Sequence, residues 1–226
     1  MSKVSLIELL DYSIIINGAK EGINDLYFTL APGDVCCIDA DLQDNAHGFL
    51  KALATLIYPL EGIYRYNGEK LDFSDYRNLL STKRKIGYIA YDAAMISNLT
   101  VRQNLLLERF FFENRLDIDL TETVKEMCDN FGLIDKLDVS PTQLSSIDLQ
   151  MAISIRELTK SPEVILLDRP EDFIGHARFD RLFRFFQKMV KKGMTAVFNS
   201  YNTEFIDEFA TRKIVIHGHG LTSVLP

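Results

Sequence analysis

Pro162-Glu163-Val164-Ile165-Leu166-Leu167-Asp168-Arg169-Pro170 is apolar at every position from Val164 to Leu167 and is bounded by proline on both sides. A strand with one solvated face alternates apolar and polar residues, whereas a strand covered on both faces does not. The run therefore reads as a buried parallel strand over 163–168 that ends on an aspartate.

The same grammar extends outward in both directions. Toward the C-terminus a helical pattern over 176–192 is followed by strand 195–200, helix 203–209, strand 213–217 and a short β run near 221–225. Toward the N-terminus lie a helix over 146–160, helices over 101–112 and 121–131, the second closed by Gly132, and a β run at 86–91. Before these come the alternating run Ile63-Tyr64-Arg65-Tyr66 with its turn pair Asn67-Gly68, a helix over 46–57, and β-type runs at 35–39, 26–30 and 4–9. Regular alternation of strand and helix predicts an α/β fold with a mostly parallel core sheet. One domain over 1–226 is expected, with a core at about 1–90 and 161–226, an antiparallel N-terminal β part and a helical lobe at about 91–160.

The bulk numbers suit that reading. The chain has 226 residues, 47% hydrophobic and 25% charged, enough to bury a full core. A formal net charge of −7 argues against a broad nucleic-acid face, which needs clustered surplus Lys and Arg. No apolar run reaches the roughly 18 to 20 residues that span a bilayer, and Met1-Ser2-Lys3-Val4 lacks the apolar core of a signal peptide, so a cytoplasmic protein is expected. Cys36, Cys37 and Cys128 sit in apolar company and read as buried free thiols.

The order of smaller signals resembles the ATP-binding-cassette (ABC) nucleotide-binding domain along the whole chain, that is, a P-loop NTPase-like fold. Ala31-Pro32-Gly33-Asp34-Val35 resembles the turn before the P-loop strand, and Tyr58-Pro59-Leu60-Glu61-Gly62 the Pro-x-x-Gly after the P-loop helix. Ile86-Gly87-Tyr88 and Leu99-Thr100-Val101-Arg102-Gln103-Asn104 resemble the flanks of the Q-loop. Pro141-Thr142-Gln143-Leu144-Ser145 and Ile165-Leu166-Leu167-Asp168-Arg169-Pro170 resemble the signature region and Walker B. The segment around Ala94-Met95-Ile96, together with Ser140 to Ser145, is also similar to ATPase subunits of mammalian-cell-entry-type lipid transporters.

Carried onto this chain, the family's motifs land on altered residues. A P-loop needs glycines whose N–H groups close around phosphate, a Lys for the β and γ charges, and Ser or Thr for Mg²⁺. Those glycines fall on Ala40, Gln43 and Asn45, the Lys on Ala46, and the Ser-Thr pair on His47-Gly48. Asp39, Asp41 and Asp44 add carboxylates, each like-charge contact costing on the order of a few kcal/mol. Tyr91 holds the Q-loop Gln position, Arg169 the catalytic Glu position and Tyr201 the switch His position, while Ile15, Ile16 and Asn17 lie where the family stacks adenine. The signature becomes Leu144-Ser145-Ser146-Ile147-Asp148, in which Ser145 is placed to cap a helix and face an anion.

On these substitutions the resemblance implies a subunit that is not an enzyme, with no cofactor and no metal, serving as structural or regulatory partner of a membrane transporter. It would dock a transmembrane permease through Tyr91, Asp92, Ala94, Met95, Ile96 and Leu99, and pair with itself or with an active ABC ATPase subunit. The alternative is an ATPase that binds nucleotide or another anion at an altered site around Asp168, with His47, Ser145 and Arg169. Three features have blander readings beside the functional ones. Asp168 next to Arg169 reads as an ion pair or a residual metal ligand, and His217-Gly218-His219 as a C-terminal turn or a metal site. Arg109-Phe110-Phe111-Phe112 reads as lobe packing or an exposed membrane-partner patch.

Overall fold

A computed structural model of the chain describes residues 5–16, 22–174 and 176–224, so Met1 to Val4, Asn17 and Leu225 lie outside the described residues. The N-terminal half opens with β1 (Ile7–Ile14), β2 (Ile23–Leu30), β3 (Val35–Ala40), α1 (Gln43–Leu53), β4 (Glu61–Tyr66) and β5 (Glu69–Lys70). It continues through α2 (Leu80–Lys85) and β6 (Ile86–Ala90) into α3 (Val101–Glu113), α4 (Glu122–Asn130) and α5 (Ser146–Thr159). Then come β7 (Val164–Asp168), α6 (Glu171–Ile174), α7 (His176–Lys191), β8 (Thr195–Asn199), α8 (Thr203–Phe209), β9 (Arg212–His217) and β10 (Gly220–Val224).

Two sheets result. The order β2-β1-β4-β5 is antiparallel throughout, and the order β10-β9-β3-β8-β7-β6 is parallel except for the edge strand β10. The Asn24 N–H donates to the His219 carbonyl at 3.0 Å and ties the two sheets at one corner. The doubly apolar strand sits inside: β7 lies between β8 and β6, and all five of its residues are buried.

The period-two geometry of a strand explains the doubly apolar runs. Cys36, Ile38, Val164, Leu166 and Val197 pack with α1 and the antiparallel sheet. Cys37, Ile165, Leu167, Ala196 and Phe198 pack on the opposite face with residues of α3, α4, α5, α7 and α8. Helix α1 is thus sandwiched, with Phe49, Leu50, Ala52 and Leu53 fully buried. Its C-terminal end is held by Tyr64, whose buried hydroxyl donates to the Leu53 carbonyl at 2.8 Å. The same alternation puts Asp168 on the α1 side at the carboxyl end of β7, where open α/β sheets bind their ligands.

Between β6 and β7 the chain is helical apart from its turns. Thr100 opens α3 with a reciprocal capping box to Gln103, and Thr121 and Ser145 cap α4 and α5. Asn104, fully buried, ties the preceding loop: its Oδ1 accepts from Ile96 N–H at 2.8 Å and its Nδ2 donates to the Ile96 carbonyl at 3.0 Å.

Candidate functional site

The loop from β3 into α1 is built differently from what its charges suggest. Of the three carboxylates expected to repel an anion, two are turned onto β9. Asp39 pairs with Lys213 at 2.6 Å, and Asp41 accepts from Gly218 N–H at 2.9 Å and faces His217 at 3.1 Å, while its other oxygen accepts from Leu42 N–H at 2.8 Å at the entry of α1. The bond from Gly218 and the burial that opposes it leave the Asp41 carboxyl below its usual range. Asp44 alone stays in the first turn of α1, exposed. The N-cap residue, Leu42, offers no side-chain acceptor, so the first-turn N–H groups carry no side-chain cap. Asn45, at a glycine position of the motif, is spent on a bond to the Gly218 carbonyl at 3.1 Å. At the next helical turn Gly48 lets Ile16 pack on α1, since a Cβ there would sit 2.6 Å from Ile16 Cγ1.

His47 is the centre of the site. Its Nδ1 meets Asp168 Oδ2 across 121 residues of sequence in a short contact, and its Nε2 lies 3.4 Å from Asp92 Oδ2. The Tyr88 hydroxyl is 3.4 Å from the same Nδ1, and the Tyr91 ring lies against the imidazole with centroids 5.3 Å apart. Lys51, one turn further along α1, reaches Asp92 Oδ2 at 2.8 Å. Burial alone would raise the Asp92 carboxyl, but the bond and charge of Lys51, with His47, outweigh it and hold it below its usual range. The Tyr88 hydroxyl is pushed far up by burial and then by the Asp168 and Asp92 charges. Tyr88 lies in the segment that resembles a Q-loop flank but was not expected in the site, and the one signal for Lys51 is register, four residues beyond His47 on the same helix face.

A second constellation joins three substituted positions. Arg169 follows Asp168 in the left-handed region, at φ +49°. The expected Asp168–Arg169 ion pair is therefore corrected: Asp168 pairs with His47, while Arg169 pairs with Asp172 at 3.2 Å and donates to the Tyr201 hydroxyl at 2.8 Å. Its guanidinium lies 5.2 Å from the Tyr91 ring centre and 5.6 Å from that of Tyr201, within cation–π range of both. Glu171, which the sequence reading passed over, latches the facing loop by accepting from Ser200 Oγ and from the Tyr201 N–H.

The other named residues lie apart from this centre. Ser145 caps α5 as read, but its hydroxyl donates to Asp148 at 2.8 Å, and Asp148 also holds Lys136 at 2.6 Å. His217-Gly218-His219 forms the turn joining β9 to β10, with Gly218 at φ +57°. Phe110 packs against the core, whereas Phe111 and Phe112 are exposed, with the Arg84 guanidinium 4.8 Å from the Phe112 ring centre. The six docking candidates divide. Tyr91 and Asp92 face into the site, Met95 packs on the core, and Leu99 is half-buried below the exposed Ala94 and Ile96. Arg156 holds the Ala94 carbonyl at 2.7 Å beside a cleft of about 380 Å³ that Lys51, Lys83 and Lys160 also line.

The fold and the strand-end aspartate facing a helix entry define a nucleotide-binding cassette, and comparison with known proteins agrees. Residues 48–172 match the family model described as ABC transporter, and the chain belongs to that family. It is 23% identical over 206 residues to the cell division ATP-binding protein FtsE of Escherichia coli K12, covering 90% of this chain and 92% of that one. It is 23% identical over 204 residues to the L-cystine import ATP-binding protein TcyC of Bacillus subtilis, covering 89% and 83%. Among solved structures, the dimeric bacterial cassette MJ0796 superposes with a TM-score of 0.80 at 20% identity over 97% of this chain and 98% of that one. A post-hydrolysis state of the same cassette, bound to ADP and Pi, also gives a TM-score of 0.80, at 19% identity and the same two coverages.

These findings overturn the expectation that the chain is not an enzyme, because its family and these relatives are ATP-binding ATPase subunits. The sequence misled for a physical reason: substitution by substitution the motifs look erased, yet the strand, the loop into α1 and the buried strand-end aspartate are retained in the fold. The relatives serve cell division and L-cystine import, and give no support to the narrower lipid-transporter resemblance.

P-loop folds imply Mg²⁺ between the P-loop Ser/Thr and the Walker B aspartate. The residues here do not fit that ion. His47 stands at the hydroxyl position, its nitrogen lies against Asp168 Oδ2, and the other Asp168 oxygen faces Asn199 Nδ2 at 3.5 Å. With the Asp168 side chain 1% exposed, no room is left for an octahedral ion that keeps several waters.

Proposed function

We propose that this chain is the ATP-binding subunit of a membrane transporter complex, engaging nucleotide through an altered cradle. It works on the cytoplasmic face against a transmembrane permease, as a dimer with itself or with a second ABC subunit. The observation that carries this reading is the pairing of Asp168 with His47 beside the uncapped entry of α1. It keeps the family's strand–loop–helix cradle, and the carboxylates that oppose an anion are largely bonded to β9. Phosphate is favoured at such a helix entry by free N–H groups and by the helix dipole. No described helix is long and apolar enough to cross a membrane, which suits attachment through a permease.

The subunit also has a structural part in the complex. Arg169, gripped by the rings of Tyr91 and Tyr201, links the loop leading to the helical segment with the loop after β8 by protein contacts alone. In this reading that link carries motion between nucleotide site and permease, which docks along the exposed Ala94 and Ile96 and the half-buried Leu99.

Calorimetric titration of the purified chain with ATP, in buffers with and without Mg²⁺, tests the proposal, and co-purification in mild detergent tests the permease. Saturable heat and a co-purifying membrane protein support it. No heat at millimolar ATP in either buffer removes the nucleotide role, and loss of any membrane partner removes the docking role.

A further inference from the structure

The misfit to a divalent cation has a positive counterpart on α1. His47 and Lys51 lie one turn apart and converge on the same oxygen of Asp92, at 3.4 and 2.8 Å, while His47 also holds Asp168. The four side chains form a continuous path from the carboxyl end of β7 to the loop after β6. Tyr91 closes it from outside, its ring against the imidazole and under the Arg169 guanidinium. In a cation-dependent cradle the metal would neutralise the aspartate and bridge it to phosphate oxygens. Here the nitrogen groups of the chain occupy the aspartate and its neighbour directly.

From this arrangement we infer that His47 fills the divalent-cation position, with Lys51 balancing the neighbouring Asp92, so that the chain binds nucleotide as the metal-free anion. The inference rests on the nucleotide role proposed above, and it names the ligand form that role uses. Three facts converge on it. The hydroxyl that would ligate the ion is replaced by a ring that needs the same space. The aspartate is almost wholly buried, leaving no coordination sphere for water. The Gln position that would help hold the ion carries Tyr91, whose phenol ring packs on His47.

The test compares ATP affinity by calorimetry in excess Mg²⁺ and in EDTA, for the intact protein and for His47→Ser, which returns a hydroxyl to the position. The wild-type affinity changes by less than about twofold between the buffers, and His47→Ser gains a preference for Mg²⁺ of about tenfold, about 1.4 kcal/mol. Wild-type binding about tenfold tighter with Mg²⁺ overturns the inference. A second arm uses Mn²⁺ alone and follows the ring protons of His47 by NMR. Unchanged lines support a filled position, and broadening selective for His47 that persists in Asp92→Asn shows that a cation reaches Asp168 and overturns it. If ATP gives no heat in either buffer, the nucleotide proposal fails by itself, and the Mn²⁺ arm still decides whether the position is closed. Should His47→Ser not fold, the wild-type comparison and the Mn²⁺ arm stand without it.

Discussion

Replacing Phe205 by alanine puts a number on what anchors the loop after β8. Phe205 is fully buried on α8, three residues past Asn202, whose side chain caps that helix. Its ring centre lies 4.8 Å from Phe209, 5.1 Å from Phe198, 5.3 Å from Phe186, and 5.7 Å from both Phe179 and Phe183. Buried Phe→Ala substitutions cost about 3–5 kcal/mol, and offset or edge-on aromatic pairs add about 0.5–1.5 kcal/mol each beyond their area. With five neighbours sharing one ring the pair energies overlap and do not sum, which places Phe205→Ala near the top of that range, about 4–5 kcal/mol. For a domain of this size each kcal/mol moves Tm by about 2–4 °C, so a fall of roughly 8–20 °C is expected. Urea unfolding followed by circular dichroism gives the free energy, and a thermal scan gives the midpoint. Phe205→Leu, which keeps most of the volume, is the control and loses about 1–1.5 kcal/mol. A loss below about 2 kcal/mol for Phe205→Ala refutes the reasoning, since it would mean that the surrounding rings collapse into the space without strain.

Gly62→Ala is expected to destabilise more than Gly68→Ala, although both glycines have positive φ, +97° and +82°. At Gly62 the new Cβ would lie 2.3 Å from the Asp11 carbonyl oxygen, whereas at Gly68 it meets nothing, so the alanine pair measured in urea isolates the backbone clash from the strain of about 1 kcal/mol common to both. Tyr64→Phe should cost about 1–2 kcal/mol by leaving the Leu53 carbonyl unpaired, and should speed hydrogen exchange at the C-terminal end of α1. The three thiols should stay silent to Ellman's reagent at pH 8 until denaturant is added, because burial pushes Cys36 and Cys128 up to about 11 and Cys37 to about 12. The same shifts fix the sign of a pH effect. Unfolded thiols release their protons first, so this contribution is intact below the unfolded thiol range, erodes as pH rises above about 9, and is lost as pH passes the folded values.

Much of the fold was legible because its strongest signals are local. The doubly apolar run ending in Asp168 and the cap at Ser145 each depend on a few neighbouring residues, and α8 spans 203–209 as expected. Where the local signal is weak the reading falls short. Helix α1 begins at Gln43, three residues before its apolar pattern at Ala46, since Gln43, Asp44 and Asn45 add no apolar stripe. Leu80–Lys85 and Glu171–Ile174 are too short to show a period. Strand β1 runs on to Ile14 past Asp11, whose positive φ marks an irregularity between Leu10 and Ser13 that hides the alternation. The site was half legible. Motif spacing located Ala46, His47, Tyr91, Asp168, Arg169 and Tyr201 one at a time, but their meeting is tertiary. His47 takes Asp168 while Arg169, at a left-handed backbone angle, contacts Tyr91 and Tyr201, and no pattern of residue types announces either the pairing or the angle.

The guanidinium held by two phenol rings also bears on how this sequence can change. Tyr91, Arg169 and Tyr201 are separated along the chain, yet each is a neighbour of another in space. A carboxylate introduced alone at 169 would lose both ring contacts and meet Asp172 with like charge. A glutamine alone at 91, or a histidine alone at 201, would strip one wall from a cation that stays behind. The three positions are therefore coupled: a single change to the family's usual residue at any one of them leaves the other two built around a partner that is gone.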